Sequence, residues 1–231
     1  LCGHYNAINA RVTAANIPKG YRYLTLAKSP VDANVRVTAT VNGERRTQPK
    51  DLREWLTNYV ASFGRAGKRV KSVYLYGERK GTGKTTTACA LLGEWLAAYY
   101  LRSVQAGETM PQRPALFFDV NEWLIEYNLI AMGNDSDEVK AFKTKMESAA
   151  HVPFLVMDDL GVRKSSENFR GYLHYIVNYR CANGLPTVYT SNIPLDDLAE
   201  VFDERLADRV RDMCFEVAWP DDAESKRGIR N

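Results

Sequence analysis

From residue 72 onward, short apolar runs alternate with longer stretches of helical periodicity. The runs are SVYLY at 72–76, ALFFDV at 115–120, FLVMD at 154–158, PTVYTS at 186–191 and CFEVAW at 214–219. Each is short and rich in β-branched or aromatic residues, which predicts a buried strand. Helical patterns lie between and around them at about 84–101, 120–131, 137–149, 166–182 and 196–212. Strands apolar on both faces and separated by helices predict a five-stranded parallel sheet covered on both sides, a three-layer αβα arrangement.

The first 71 residues follow a different pattern. Residues 4–16 read as a short helix ended by Ile17-Pro18, because the residue before proline avoids helical backbone. Lys19, Gly20 and Tyr21 begin a linker. Val35, Val37, Ala39 and Val41 alternate with polar residues up to Asn42-Gly43, which predicts a small hairpin. Pro49 is expected to open a helix running to about residue 66, with Leu52, Trp55, Leu56, Tyr59 and Val60 on one face. Exposed loops are expected at 107–114 and 132–137. The resulting division is an N-terminal part at 1–48, comprising helix, linker and hairpin insertion, and a main domain at 49–231.

Composition narrows the classes without choosing among them. With 231 residues, 45% hydrophobic and 26% charged, the chain can bury a full core. No stretch approaches the roughly 20 apolar residues that span a bilayer, and no basic-then-apolar leader opens the chain. The net charge of +3 permits a nucleic-acid or acidic partner but argues for neither. Four scattered cysteines with no CxxC pair do not form a disulfide framework, so a cytoplasmic setting is expected.

The chemistry begins after the first strand, at Gly77-Glu78-Arg79-Lys80-Gly81-Thr82-Gly83-Lys84-Thr85-Thr86, followed by the apolar helix ACALL. Strand, glycine-rich loop and helix start together make a phosphate-binding loop. Gly81 and Gly83 let backbone N–H groups approach a phosphate closely, and the helix N-terminus favours the anion. Lys84 supplies charge to the β- and γ-phosphates, and the Thr85 hydroxyl suits Mg²⁺. Gly81, Thr82, Gly83, Lys84, Thr85 and Thr86 are therefore candidate ATP contacts. The pattern GxxxxGK[ST] would place its first glycine at position 78, which is Glu78; Gly77 stands one residue earlier, so the loop carries an extra residue or a bulge. The bland alternative is a glycine-rich turn that binds nothing.

Phe154-Leu155-Val156-Met157-Asp158-Asp159 is an apolar strand ending in two carboxylates. Ligands of parallel α/β sheets bind at the carboxyl ends of the strands, where this pair and the glycine-rich loop should meet. Asp158 is expected to hold Mg²⁺ opposite Thr85, and Asp159 to orient or deprotonate the attacking water. Two solvated acids, or a helix cap, would be the plain reading of the pair alone. Asn192, closing the run PTVYTSN, could hydrogen-bond the γ-phosphate or the water; it could equally cap the turn before Pro194. Arg205 and Arg209 sit one turn apart on a predicted helix. Taken alone they read as part of a salt-bridged surface interleaved with Glu204 and Asp208.

Taken in order, ANIPKGYR, LYGERKGTGKTT, FLVMDDLG, LPTVYTSN and ERLADRVRD followed by SKR resemble the DnaC/DnaI-type loaders of replicative helicases and the related IstB-type transposition ATPases. Both are AAA+ P-loop ATPases. The resemblance implies that Asn192 is the sensor-1 residue, that Arg209, or less readily Arg205, is an arginine finger acting on a neighbouring subunit, and that Arg227 is a sensor-2 arginine. It implies ATP and Mg²⁺ as cofactors, and a hexameric replicative helicase, single-stranded DNA and further copies of the chain as partners. Twelve residues follow Trp219, which implies little or no helical lid. Arg163, Lys164 and Ser166 are DNA-binding candidates, with Lys140, Lys143 and Lys145 on the helical pattern at 137–149, although an ordinary solvated charged face explains them equally well. Cys2 and His4 look like the end of a zinc-binding region without a full ligand set. Two other functions stay open: an IstB-like transposition helper and a nucleotide-binding scaffold that barely hydrolyses.

Overall fold

The computed structural model describes residues 2–29, 33–63, 69–133, 135–161 and 165–225. The expected parallel strands form as β3 (Ser72–Tyr76), β4 (Ala115–Asp119), β5 (Phe154–Asp158), β6 (Thr187–Ser191) and β7 (Cys214–Ala218). The hairpin forms as β1 (Asn34–Val41) and β2 (Glu44–Asp51), turning at Asn42 and Gly43, both with positive φ. It does not stand apart from the sheet. β1 pairs antiparallel with β7 through Arg36↔Ala218 and Thr38↔Glu216, giving seven strands in the order β2-β1-β7-β3-β6-β5-β4. Arg45 ties the hairpin down further by bonding Asp196 and, at 2.6 Å, Glu216. Exposed β2 carries five charged residues and Pro49, which discourages pairing along that edge with another chain.

The two-residue alternation of each strand sorts its side chains between two cores. Val73, Leu75, Phe117, Phe154 and Val156 join the core beneath α1 (Cys2–Ala14), α2 (Leu52–Val60) and α3 (Lys84–Ala106). Tyr74, Tyr76, Phe118, Leu155 and Met157 join the opposite core, under α4 (Val120–Met132), α5 (Ser136–His151), α6 (Glu167–Asn183) and α7 (Glu204–Met213). The three layers are thus real, and the five parallel strands are the centre of a wider mixed sheet.

Several boundaries differ from the sequence reading. Pro49 lies in β2 opposite Arg36 and does not open a helix. α2 starts at Leu52 because the Asp51 carboxylate accepts from the Glu54 N–H at 2.8 Å. The pattern at 196–212 divides into a 3-10 turn, Leu195–Glu200, and α7, because Asp203 accepts from the Leu206 N–H at 2.8 Å and starts a new helix. Met110, in a stretch expected to be exposed, is buried, and Arg11 of α1 donates to its carbonyl at 3.1 Å. The stretch at 132–137 is partly helical, since α5 begins at Ser136. His4, read as a remnant of a metal site, bonds the Tyr100 hydroxyl at 2.8 Å. No helix of the described residues is long and apolar enough to cross a membrane.

Candidate nucleotide site at the carboxyl ends of the strands

The loop leaving β3 turns toward α3 on one face, whereas the neighbouring β6 leads to α7 on the other. A crevice opens where such connections diverge. Gly81 and Gly83 take positive φ of 85° and 103°, backbone geometry that a Cβ would resist. Gly77, the first glycine of the loop, is packed tightly: a Cβ there would lie 3.2 Å from the Trp219 Cβ and 3.7 Å from the Lys84 Nζ. Glu78, at the position where the pattern has its first glycine, is exposed and accepts from the Tyr76 hydroxyl at 3.2 Å.

The start of α3 differs from the other helix starts described. α2, α4, α5, α6 and α7 each begin beneath an Asp or Ser side chain that accepts a helix N–H: Asp51, Asp119, Asp135, Ser166 and Asp203. α3 begins at Gly83 with no side-chain cap. Its first N–H groups face the loop, where an anion would satisfy them. Lys84 bends back over the loop and donates to the carbonyls of Gly77 at 2.6 Å and Arg79 at 3.0 Å. Thr82 and Thr86 are buried in the same turn.

Across the crevice, the Thr85 hydroxyl donates to Asp158 Oδ2 at 3.2 Å. Asp158 is 7% exposed. Burial raises its pKa to about 6, against hydrogen bonds from Thr190 and Thr85 that lower it, with Asp119 and Asp159 adding repulsion. A buried carboxylate beside a hydroxyl, with no cationic partner among its described contacts, is a hard-oxygen pair of the kind Mg²⁺ selects, so the donor set fits that ion. Asp159 lies in the left-handed region, with φ of 59°. An aspartate holds this conformation at a cost of about 1 kcal/mol, which the surrounding bonds must offset.

Thr190, not singled out in the sequence, supplies those bonds. Its hydroxyl donates to Asp158 Oδ1 at 2.6 Å and accepts from the Asp159 N–H at 2.9 Å, while its carbonyl accepts from the Leu160 N–H at 2.8 Å. Asn121, in the first turn of α4, is a second addition, donating to Asp159 Oδ2 at 2.5 Å. The signal for Thr190 was the hydroxyl two residues before Asn192 on the strand neighbouring the acidic pair. For Asn121 the sequence held only a polar residue just past β4.

Asn192 follows β6 at the same end of the sheet, and its Oδ1 is buried without a partner among the described residues. An orphaned acceptor in a polar crevice calls for an N–H or O–H donor, such as a bound water. Arg205 and Arg209 are placed elsewhere, on α7, lining a pocket with His174, Asn178, Asp203 and Leu206. Neither is described as bonding the phosphate loop or the acidic pair of its own chain. The helix does carry salt bridges, but those of Glu204 and Asp208 run to Arg211. Arg163, Lys164 and Arg227 lie outside the described residues. Ser166 caps α6, accepting from the Phe169 N–H at 3.3 Å. Lys145 pairs with Glu126 at 2.7 Å, and Lys140 and Lys143 are exposed.

No protein-family model matches the chain, and no curated protein is significantly similar to it. Solved structures do match. The DnaI structure is 24% identical with a TM-score of 0.53, covering 73% of this chain and 82% of its own. A candidate primosome component from Streptococcus pyogenes serotype M3 is 22% identical with a TM-score of 0.57, covering 94% and 98%. The DnaC helicase loader is 20% identical with a TM-score of 0.52, covering 75% and 93%. With the strand order and glycine-rich loop above, the fold is that of the AAA+ P-loop NTPases. More narrowly, it is the fold of the DnaC and DnaI structures, as the sequence motifs implied.

Proposed function

We propose that this chain is an ATP-dependent loader of a replicative DNA helicase, acting as an oligomer with ATP at its subunit interfaces and binding single-stranded DNA. The observation that carries the nucleotide reading is the meeting of an uncapped helix start, Lys84 and Thr85 on one side with Asp158, Asp159 and Asn192 on the other. The loader reading rests on the likeness to the DnaC loader and DnaI structures together with the motifs ERLADRVRD and LPTVYTSN.

The backbone N–H groups of residues 81–86 and the Lys84 ammonium bind the phosphates. Thr85 and Asp158 are the residues that would hold Mg²⁺, which when bound neutralises charge on the phosphate oxygens. Asp159, held by the Thr190 hydroxyl and Asn121, receives the proton of the attacking water. Asn192 orients that water through its amide oxygen. A neighbour's Arg209 neutralises the charge that develops as the γ-phosphoryl group leaves. ATP then closes the interface between copies and hydrolysis loosens it, which lets the assembly hold and release a helicase ring.

ATP turnover, native mass measured with ATP and single-stranded DNA, and capture of purified replicative helicase against purified transposase test these statements together. Asp159→Asn is expected to lower turnover about 100- to 1,000-fold while leaving ATP affinity within a few-fold. Unchanged turnover would remove Asp159 from the chemistry. Capture of transposase alone would replace the loader with an IstB-like helper on the same ATPase.

A further inference from the structure

The three arginines of α7 are held in three different ways. Arg211 is surrounded by carboxylates: it bonds Asp208, lies 3.6 Å from Asp196 and 3.9 Å from Glu204, and also donates to the Asp196 carbonyl at 3.1 Å. Its charge is neutralised within the chain. Arg205 is exposed on the first turn, near Asp203, whose carboxyl is held below its ordinary pKa first by the Leu206 N–H and then by His174, with Arg205 adding least. Arg209 is half-buried, and its described partner is a neutral amide: one guanidinium N–H donates to Asn178 Oδ1, on the facing helix α6. Both Arg205 and Arg209 open onto a cavity of about 230 Å³ between α6 and α7, beside the His174–Asp203 pair at 3.0 Å.

A neutral acceptor does something a carboxylate cannot. It fixes the plane of the guanidinium while leaving its full positive charge, and it engages one of the five N–H donors the group carries. A flexible arginine must lose side-chain freedom before it can meet a phosphate, and holding it in place beforehand removes that cost from the reaction step. We infer that Asn178 is a positioning residue that presents Arg209, rather than Arg205, across the α6/α7 face to the nucleotide of a second copy of this chain. The inference rests on the trans-acting Arg209 of the proposed function and adds what orients it.

The test is complementation between full-length variants. Lys84→Ala chains should not hydrolyse ATP but still carry an intact α6/α7 face. Asn178→Ala chains should bind ATP with unchanged affinity, unfold at an unchanged temperature, and turn over about 10- to 100-fold more slowly than the unmodified protein. Mixing the two should restore turnover severalfold, because the Lys84→Ala neighbour supplies a held arginine. Asn178→Asp keeps the acceptor but neutralises the guanidinium, so it should be at least as slow as Asn178→Ala. A residue that only supports the fold would instead tolerate aspartate better than alanine. Arg209→Ala mixed with Lys84→Ala is the reference. If that mixture recovers while Asn178→Ala is fully active, is not rescued, or is less impaired when replaced by aspartate, the role of Asn178 is wrong and the trans arginine stands. If Arg209→Ala is slow alone and no Lys84→Ala mixture rescues it, the trans reading falls and takes this inference with it.

Discussion

Two buried ionisable groups sit at opposite ends of the same sheet, and neither meets an opposite charge among its described contacts. At the amino end, Arg180 is wholly buried, and its fork is filled by oxygen: Thr187 Oγ1 at 2.7 Å and the carbonyls of Ala149, Val152 and Pro186 at 2.8–2.9 Å, with Ala150 at 3.3 Å. Those carbonyls belong to the last turn of α5 and to the starts of β5 and β6, where backbone acceptors would otherwise lack donors. Burial lowers the Arg180 pKa to about 10, so the group stays charged at neutral pH. At the carboxyl end, Asp158 receives two hydroxyl donors, and burial lifts its pKa to about 6. One buried charge is satisfied by the fold itself. The other is only partly satisfied, and it lies where the phosphate loop opens. The difference separates a charge that the fold satisfies from one that it leaves open to a further partner, a distinction that burial alone does not draw.

The contrast breaks most visibly on removal of Arg180. Arg180→Ala leaves at least three buried carbonyls and a hydroxyl without their donor, and is expected to destabilise the chain by about 3–5 kcal/mol. Arg180→Lys keeps the charge but not the fork, and should fall between the two. Urea unfolding gives the stability, and ATP affinity under conditions where the variant is folded should be unchanged. A loss below about 1 kcal/mol would mean that water fills the fork's place and that the two groups differ less than their contacts suggest.

At the other end of the sheet, the sign reverses. Between pH 4 and 6 folded Asp158 keeps a proton that the unfolded chain, with an ordinary aspartate pKa of 3.8, has released. Binding of that proton favours the folded state in acid, and the advantage disappears as pH rises through about 6. At neutral pH, without metal or nucleotide, the charged Asp158 therefore costs about 3 kcal/mol, the free-energy equivalent of its shift. Asp158→Asn should be more stable than the unmodified protein at pH 7.5 by up to that amount, with the gap closing below pH 4, and it should lose hydrolysis. Denaturation midpoints at the two pH values decide it. A variant less stable at both would mean that the carboxylate is as well supported as Arg180 is.

The sheet, its two helical layers and the phosphate loop were legible because each rests on a local pattern: runs of alternating packing, a glycine pair before a lysine, two acids after a strand. The missed features depend on residues meeting from far apart. Thr190 and Asp158 are 32 positions apart, and Asn121 and Asp159 are 38 apart. No spacing rule links either pair until β4, β5 and β6 lie side by side. Pro49 misled for the opposite reason: a residue suited to a helix start was claimed by the hairpin, although Asp51-Leu52-Arg53-Glu54 held the correct capping signal. The attachment of that hairpin to β7 is likewise invisible in a one-dimensional pattern, because an antiparallel partner 180 residues away leaves no local mark.

Thr190 offers the smallest and sharpest cut through the comparison, because it decides how far the fold goes in satisfying Asp158. Its hydroxyl is shared between the Asp158 carboxylate and the Asp159 N–H, so both residues of the acidic pair are set by one group on a neighbouring strand. Thr190→Val keeps the shape and removes the hydroxyl, leaving unpaired the N–H of Asp159, the residue with positive φ. The expected stability loss is about 1–2 kcal/mol. Relaxed aim at Asp159 should slow turnover about 10-fold, with ATP affinity unchanged. Thr190→Ser restores both bonds and should recover most of the rate, despite the lost methyl group. Turnover and unfolding measured side by side for the two variants separate aim from packing. If valine and serine behave alike, the hydroxyl is not what holds the pair, and the left-handed turn at Asp159 is supported by its other neighbours.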